Sequence, residues 1–218
     1  AIALNSNDYQ TSRAINNRAT IYNKQGKFEL AIKEYTKVME LNPEYPLYYS
    51  NRADAYLKLE NYENALIDFT KAIILDSVNP YSYIIRGNFY KDHLREHNLA
   101  LNDFSKAIEL NPENPTYYFY RAKTHQAMNH SDLAEYDYTK SIQIVPEMAY
   151  YYNVRGLFYG LIGEYKKAHQ DFDKVIKIDT TDRAVYYNRS KMYIKLKEYD
   201  KAELDYLKSI SMDLNDPE

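Results

Sequence analysis

Apolar and polar positions alternate along the chain with a spacing that predicts pairs of amphipathic helices. In residues 46–79, Tyr49, Ala53 and Tyr56 are spaced i, i+4 and i+7, which places them on one helical face. After a polar turn, Ala65 and Phe69 begin a second apolar stripe with helical spacing. One such pair cannot bury its own apolar face, so the pattern predicts several pairs stacked on one another.

The same pattern occurs six times, at steps of 34 residues with one step of 35. An arginine marks each copy, and a small residue, a ring, an alanine and a second ring follow it. The arginines are Arg18, Arg52, Arg86, Arg121, Arg155 and Arg189. This period is the signature of a helical-repeat protein. We predict a single domain over 1–218, with a lead-in at 1–11 and repeats at 12–45, 46–79, 80–114, 115–148, 149–182 and 183–218. The extra residue of the third copy falls between Tyr90 and Ala100, in the predicted turn 91–99.

This pattern resembles the tetratricopeptide repeat (TPR) family over nearly the whole chain. The small-residue, tyrosine, alanine, aromatic, alanine and proline positions of the family are matched in order, although Ile15 or a tyrosine replaces the usual tryptophan. The arginines stand where the family usually has leucine. The resemblance implies an all-α, right-handed superhelical solenoid of stacked antiparallel helix pairs. It also implies a scaffold or adaptor that binds a peptide or protein segment on its concave face.

Composition excludes several other classes of protein. The net charge of −3 does not favour nucleic acid as a partner. The sequence contains no run of about 18 apolar residues, so we expect no membrane insertion. There is no cysteine and no catalytic or phosphate-binding motif, so we expect neither an enzyme nor a cofactor. Residues 93–97 spell H-x-x-E-H, but they fall in a predicted turn, so we expect no metal site there. The absence of a secretion signal favours a cytoplasmic or other intracellular location.

An acid follows each arginine by sixteen residues, or by seventeen in the third copy. We predict that each arginine forms a structural ion pair with that acid on a facing helix, because an unpaired charge there would be costly. The alternative is that the arginines form a ladder that binds a ligand. The acids are Glu34, Asp68, Asp103, Asp137, Asp171 and Asp205.

In the TPR family, the first helix of each copy lines the concave surface. We call the corresponding positions here, one step round from the packing stripe, the first-helix face. It is aromatic and mildly basic in the middle copies, with Asp54 and Asp92 as acidic exceptions, and it favours an acidic segment with apolar anchors. Two alternatives remain: some rings only pack neighbouring copies, and the lysines only maintain solubility. The predicted contact residues are Tyr81, Ile84, Asn88, Phe119, Tyr120, Lys123, Tyr150, Asn153, Leu157 and Lys191.

Two further expectations concern subgroup and assembly. Some members of the family clamp the C-terminal carboxylate of heat-shock chaperones. Asn51 fits one position of that clamp, but Tyr81 and Ile85 occupy the two basic positions, so we expect no such role. In the last copy, no polar helix follows Tyr206, Ile210 and Leu214. We therefore expect either that the chain is a piece of a longer one or that its terminal helices pack on a partner, which makes self-association the alternative function.

Overall fold

The computed structural model describes residues 6–213, and within them the chain forms twelve α-helices and no strand. Leu214 and the first five residues of the lead-in lie outside the described residues, whereas the rest of the lead-in is the start of α1. The helices are α1 Ser6–Lys24, α2 Phe28–Leu41, α3 Pro46–Lys58, α4 Tyr62–Leu75, α5 Pro80–Phe89, α6 His97–Leu110, α7 Pro115–Ala127, α8 Ser131–Ile144, α9 Ala149–Leu161, α10 Tyr165–Ile178, α11 Arg183–Lys195 and α12 Tyr199–Asp213.

The chain divides into two compact units, which we call unit 1 (residues 1–111) and unit 2 (residues 112–218). In unit 1 the helices α1 to α6 pack against one another in chain order, and in unit 2 the helices α7 to α12 do the same. Each unit therefore holds three helix pairs, and the predicted all-α fold of helix pairs is confirmed. The prediction of a single domain with the stated repeat limits stays a prediction.

The helices begin and end where local chemistry requires. Proline stands in the first turn of α3, α5 and α7, where the missing N–H has no helical partner in any case. The side chains of Asn79, Asn114 and Asp182 accept hydrogen bonds from backbone N–H groups at the starts of α5, α7 and α11. At the other end, Pro43 and Pro112 follow α2 and α6 by two residues and prevent their continuation.

The turn inside each pair contains one residue in the left-handed conformation. These residues are Gly26, Glu60, Arg95, Asn129, Gly163 and Lys197. In five turns a backbone N–H bonds to a carbonyl five residues earlier, as between Asn61 and Tyr56 (2.9 Å). In the third pair, a π-helical turn at Tyr90–Leu94 continues α5, and Glu96 N–H reaches back six residues to the carbonyl of Tyr90 (2.9 Å). The additional residue of the third copy is therefore absorbed within a helical turn.

Small residues let the helices of a pair approach closely while rings fill the space between them. At Gly87 an added Cβ would lie 2.6 Å from Cε1 of Phe104, and at Gly156 it would lie 2.8 Å from the same atom of Phe172. Both phenylalanines are fully buried. Each ring contributes about 1.5–3 kcal/mol through the apolar surface it buries. The core of each pair therefore depends on a small residue opposite a large one.

Candidate functional site

The arginine of each copy lies against the acid that the spacing predicts. Arg52 Nε and Nη2 donate to the two carboxylate oxygens of Asp68 at 2.7 and 2.8 Å. The pairs 86–103, 121–137, 155–171 and 189–205 have the same two-bond geometry at 2.7–2.8 Å. All five aspartates are buried. Arg18 is different, because it bonds to one oxygen of Glu34 and its side chain is 50% exposed.

The same arginines also bond to the preceding helix pair. Nη1 of Arg52 donates to the hydroxyl of Thr36 in α2 at 2.9 Å, and Nη1 of Arg155 donates to Thr139 in α8 at 2.9 Å. Two further bonds of this kind join Arg86 to Thr70 (3.3 Å) and Arg189 to Asp173 (2.6 Å). Each of these guanidinium groups therefore connects three helices across a repeat junction. The sequence carries a signal for these bonds, an acceptor sixteen residues before the arginine, but the arginine–acid pattern does not predict them.

The tyrosine four residues after the arginine explains part of the high tyrosine content. The guanidinium carbons of Arg52 and Arg155 lie 5.7 and 5.6 Å from the ring centroids of Tyr56 and Tyr159, within the range of a cation–π contact. In the fourth copy this ring is His125, whose Nε2 lies 4.0 Å from a carboxylate oxygen of Asp137. Burial lowers the pKa of His125, although the Asp137 charge opposes that shift.

Burial also affects Asp171, the acid of the fifth pair. It raises the pKa of Asp171, and the paired Arg155 only partly offsets the effect. The cost of burying both charges of such a pair opposes their mutual attraction, so a buried pair is weak evidence for net stability. Because Nε, Nη1 and Nη2 of Arg52 and Arg155 all donate to side chains of the fold, these arginines have little capacity left for a ligand. The interpretation as structural ion pairs nevertheless stays a prediction.

In unit 2, the first-helix face presents an aromatic and basic surface. Tyr150 and Leu157 of α9 are exposed, at 53% and 42%. Lys123 and Lys191 hold the position equivalent to Leu157 on α7 and α11, so an ammonium group flanks the apolar position in each neighbouring copy. Lys191 Nζ lies 5.3 Å from the Tyr187 ring centroid, a contact that restrains the lysine. Of the other three predicted contacts here, Tyr120 is half-buried, and the Oδ1 atom of Asn153 is buried without a hydrogen-bond partner among the described residues.

Two of the predicted contact residues are packing residues instead. Ile84 is only 4% exposed and Phe119 only 6%, so neither side chain offers a surface to a partner. The Phe119 ring lies 5.3 Å from the Tyr150 ring and 6.1 Å from the Tyr138 ring, which joins three helices of unit 2. For Ile84 and Phe119 the prediction of ligand contact is wrong, because apolar side chains on the first-helix face also fill the junctions between copies.

In unit 1, the predicted contacts Tyr81 and Asn88 line a cavity of about 470 Å³. Its walls come from α3, α4, α5 and the π-helical turn, and they include Asp54 and Asp92. The sequence identified these two acids only as exceptions to a basic face. It could not show that they share one cavity, because the π-helical turn that positions Asp92 leaves no clear sequence signal. The first-helix face of unit 1 is therefore partly acidic, whereas that of unit 2 is basic.

Residues 6–213 contain neither a cluster of metal-binding side chains nor a membrane-spanning helix. In that stretch, no three side chains of histidine, cysteine, aspartate or glutamate gather as a metal ion would require. His93 stacks on the Phe89 ring at 5.8 Å between centroids, so it is a packing residue of the π-helical turn. Over the same range, none of the helices has both the length and the apolar character needed to cross a membrane.

Paired helices, buried arginine bridges and an exposed first-helix face define an all-α helical-repeat protein of the kind that serves as a protein-interaction scaffold. The chain belongs to the tetratricopeptide repeat family. Family models described as TPR repeat or tetratricopeptide repeat match residues 19–60, 46–77, 80–114, 149–182 and 184–216. A comparison with curated proteins found no match.

Solved structures share the fold at low sequence identity. A tetratricopeptide repeat protein from Parabacteroides merdae is 26% identical, with a TM-score of 0.65 over 94% of this chain and 79% of that one. PilW, described as a widely conserved type IV pilus biogenesis factor, is 17% identical, with a TM-score of 0.73 over 94% of each chain. YrrB, described as a TPR protein with an unusual peptide-binding site, is 23% identical, with a TM-score of 0.64 over 83% of this chain and 93% of that one.

Proposed function

We propose that this chain is an interaction scaffold whose first-helix face in unit 2 holds an acidic protein segment with apolar anchors. The observation that carries the proposal is the row formed by Lys123, Leu157 and Lys191 at one equivalent position of α7, α9 and α11, beside the exposed ring of Tyr150. Exposed aromatic rings supply contact area at low entropic cost, which is why they dominate binding hot spots. The flanking ammonium groups favour carboxylates on either side of the anchor. The proposal involves no catalytic step.

Selection from a displayed library of random twelve-residue peptides tests this proposal. We expect the intact chain to enrich acidic peptides that contain aromatic or aliphatic residues. Charge reversal in K123E/K191E should remove the acidic preference, and Y150A/L157A should weaken binding at least tenfold. The matched control is K174E/K208E, which makes the same charge change at exposed positions of α10 and α12. The proposal fails if no acidic peptides are enriched, or if the control loses them equally.

A second candidate function is self-association through the last helix. Leu204, Leu207 and Ile210 of α12 are all more than half exposed. Leu207 also stands at the position where Thr36 and Thr70 accept a bond from the next arginine, so α12 has an apolar side chain at that position. An apolar surface of this kind suits a second copy of the chain. Light scattering across a range of concentrations tests the idea, and a monomer at every concentration would exclude it.

A further inference from the structure

The cavity in unit 1 has the size of a side-chain pocket, and its lining is apolar at one end and acidic at the other. Its volume of about 470 Å³ falls in the range of sites that hold small ligands. Phe69 and Phe89, both buried, contribute aromatic surface to its lining. Leu47 and Tyr81, at the starts of α3 and α5, supply exposed apolar surface at one end. Asp54 and Asp92, toward the ends of the same helical segments, supply carboxylates at the other end.

Between the two ends lie two amide side chains with unused hydrogen-bonding capacity. Asn51 Nδ2 donates to Asn16 at 3.4 Å, and Asn88 Oδ1 accepts from Lys91 at 3.3 Å. The other amide atom of each, Asn51 Oδ1 and Asn88 Nδ2, forms no hydrogen bond within residues 6–213. One acceptor and one donor are therefore available in the middle of the pocket, which matches the two polar groups of a peptide unit.

The acidic end has more negative than positive charge. Asp54 makes no ion pair within the described part of the chain, and its Oδ2 accepts a hydrogen bond from Asn23 at 2.8 Å. A carboxylate oxygen of Asp92 lies 3.4 Å from Lys91 Nζ, and the Asp92 side chain is 56% exposed. Tyr81 and His93 are the other titratable side chains that line the described cavity. Two carboxylates therefore line the pocket and only Asp92 has a lysine within 4 Å in the described part of the chain, which leaves room for a further cation.

The acid at position 54 distinguishes this copy from the other five. The equivalent residues are Thr20, Asn88, Lys123, Leu157 and Lys191. Two of these are lysines, and both belong to the basic surface of unit 2. The same register position therefore carries opposite charge in the two units, which indicates different preferences for a ligand.

We propose that the cavity of unit 1 binds a lysine or arginine side chain of a partner protein segment. The cationic group lies between Asp54 and Asp92, where it forms charge-assisted hydrogen bonds. Its aliphatic stem packs on Phe89, and the neighbouring peptide unit bonds to Asn51 and Asn88. An adjacent apolar residue of the segment packs on Tyr81 at the opposite end. This inference shares no residue with the surface of the proposed function in unit 2, so either can fail while the other holds.

The same displayed library tests the inference when the selected peptides are sorted by charge. We expect a second class of peptides with one invariant basic residue next to an apolar one. Replacing that residue with norleucine in a synthetic copy should weaken binding to the intact chain about 10- to 100-fold. D54N and D92N should each weaken the original peptide and leave the norleucine peptide unchanged. K123E/K191E should not affect either peptide.

A matched control separates a local contact from a general effect of charge. Glu63 is exposed in the first turn of α4 and does not line the cavity, so E63Q removes one negative charge from the same unit. Equal losses in E63Q and in both aspartate variants would overturn the proposal, as would a library without an invariant basic residue. Thermal melting of each variant shows that the fold is retained. Because Asp92 is largely exposed, D92N keeps the test decisive if D54N unfolds.

Discussion

Removing Asp68 should destabilise the chain far more than removing the acid at the same position of the preceding copy. In the D68A variant, Arg52 keeps the hydroxyl of Thr36 and the ring of Tyr56 as contacts but loses its carboxylate partner. The Arg52 side chain is 18% exposed and that of Asp68 is 2% exposed, so the remaining charge is largely desolvated. Breaking a buried pair in this way costs about 3 kcal/mol of unfolding free energy. Urea denaturation followed by circular dichroism measures the loss.

The matched variant is E34A, which removes the partner of Arg18. Half of the Arg18 side chain is already exposed, so water replaces the lost carboxylate and the denaturation midpoint should barely move. The double variant R52M/D68A should regain part of the loss, since it leaves no buried charge without a partner. Equal losses in D68A and E34A would refute the reasoning. A D68A variant as stable as the parent chain would also refute it.

Two further variants test the core and the odd ring of the fourth copy. Burial lowers the pKa of His125, so the unfolded chain binds a proton more readily and stability falls as the pH drops below about 6.5. H125Y restores the tyrosine of the other copies and should lose less stability than the parent chain between pH 7.5 and pH 5. Urea denaturation midpoints at both pH values measure the difference, and parallel pH profiles would contradict this. In G87A the new Cβ meets the buried ring of Phe104, and overpacking of about 1–3 kcal/mol exceeds a gain of about 1 kcal/mol in helix propensity. We expect a net loss of about 1 kcal/mol by the same assay, and a more stable G87A would contradict the packing argument.

The repeat period made the fold accessible from sequence, because each copy encodes the same contacts at fixed spacing. The position of Asp137 relative to Arg121 illustrates this, since an offset of sixteen residues, or seventeen in the third copy, places an acid against each arginine. The bonds from arginine to Thr36 and Thr70 follow the same logic but join different copies. The spacing from an arginine to its acid does not predict them, because the acceptor precedes the arginine in the chain.

The candidate site was less predictable because the first-helix face both packs neighbouring copies together and presents exposed side chains. Phe119 and Tyr150 both fall on the first-helix face, yet one is buried in a junction and the other is exposed. Helical spacing gives the direction of a side chain but not the distance to the next copy, and that distance decides burial. The cavity beside Asp54 depends in addition on the π-helical turn, whose geometry is a tertiary outcome.

The π-helical turn at Tyr90–Leu94 also bears on how such a chain can change length during evolution. An additional residue inside a regular helix rotates every later side chain by about 100°, which would move the apolar stripe off the core. Here the additional residue lies between α5 and α6, and α6 still places Ala100 and Phe104 in the core. A one-residue insertion at this point therefore leaves the helical spacing of the following copy unchanged, so the length of a repeat can vary without loss of its core.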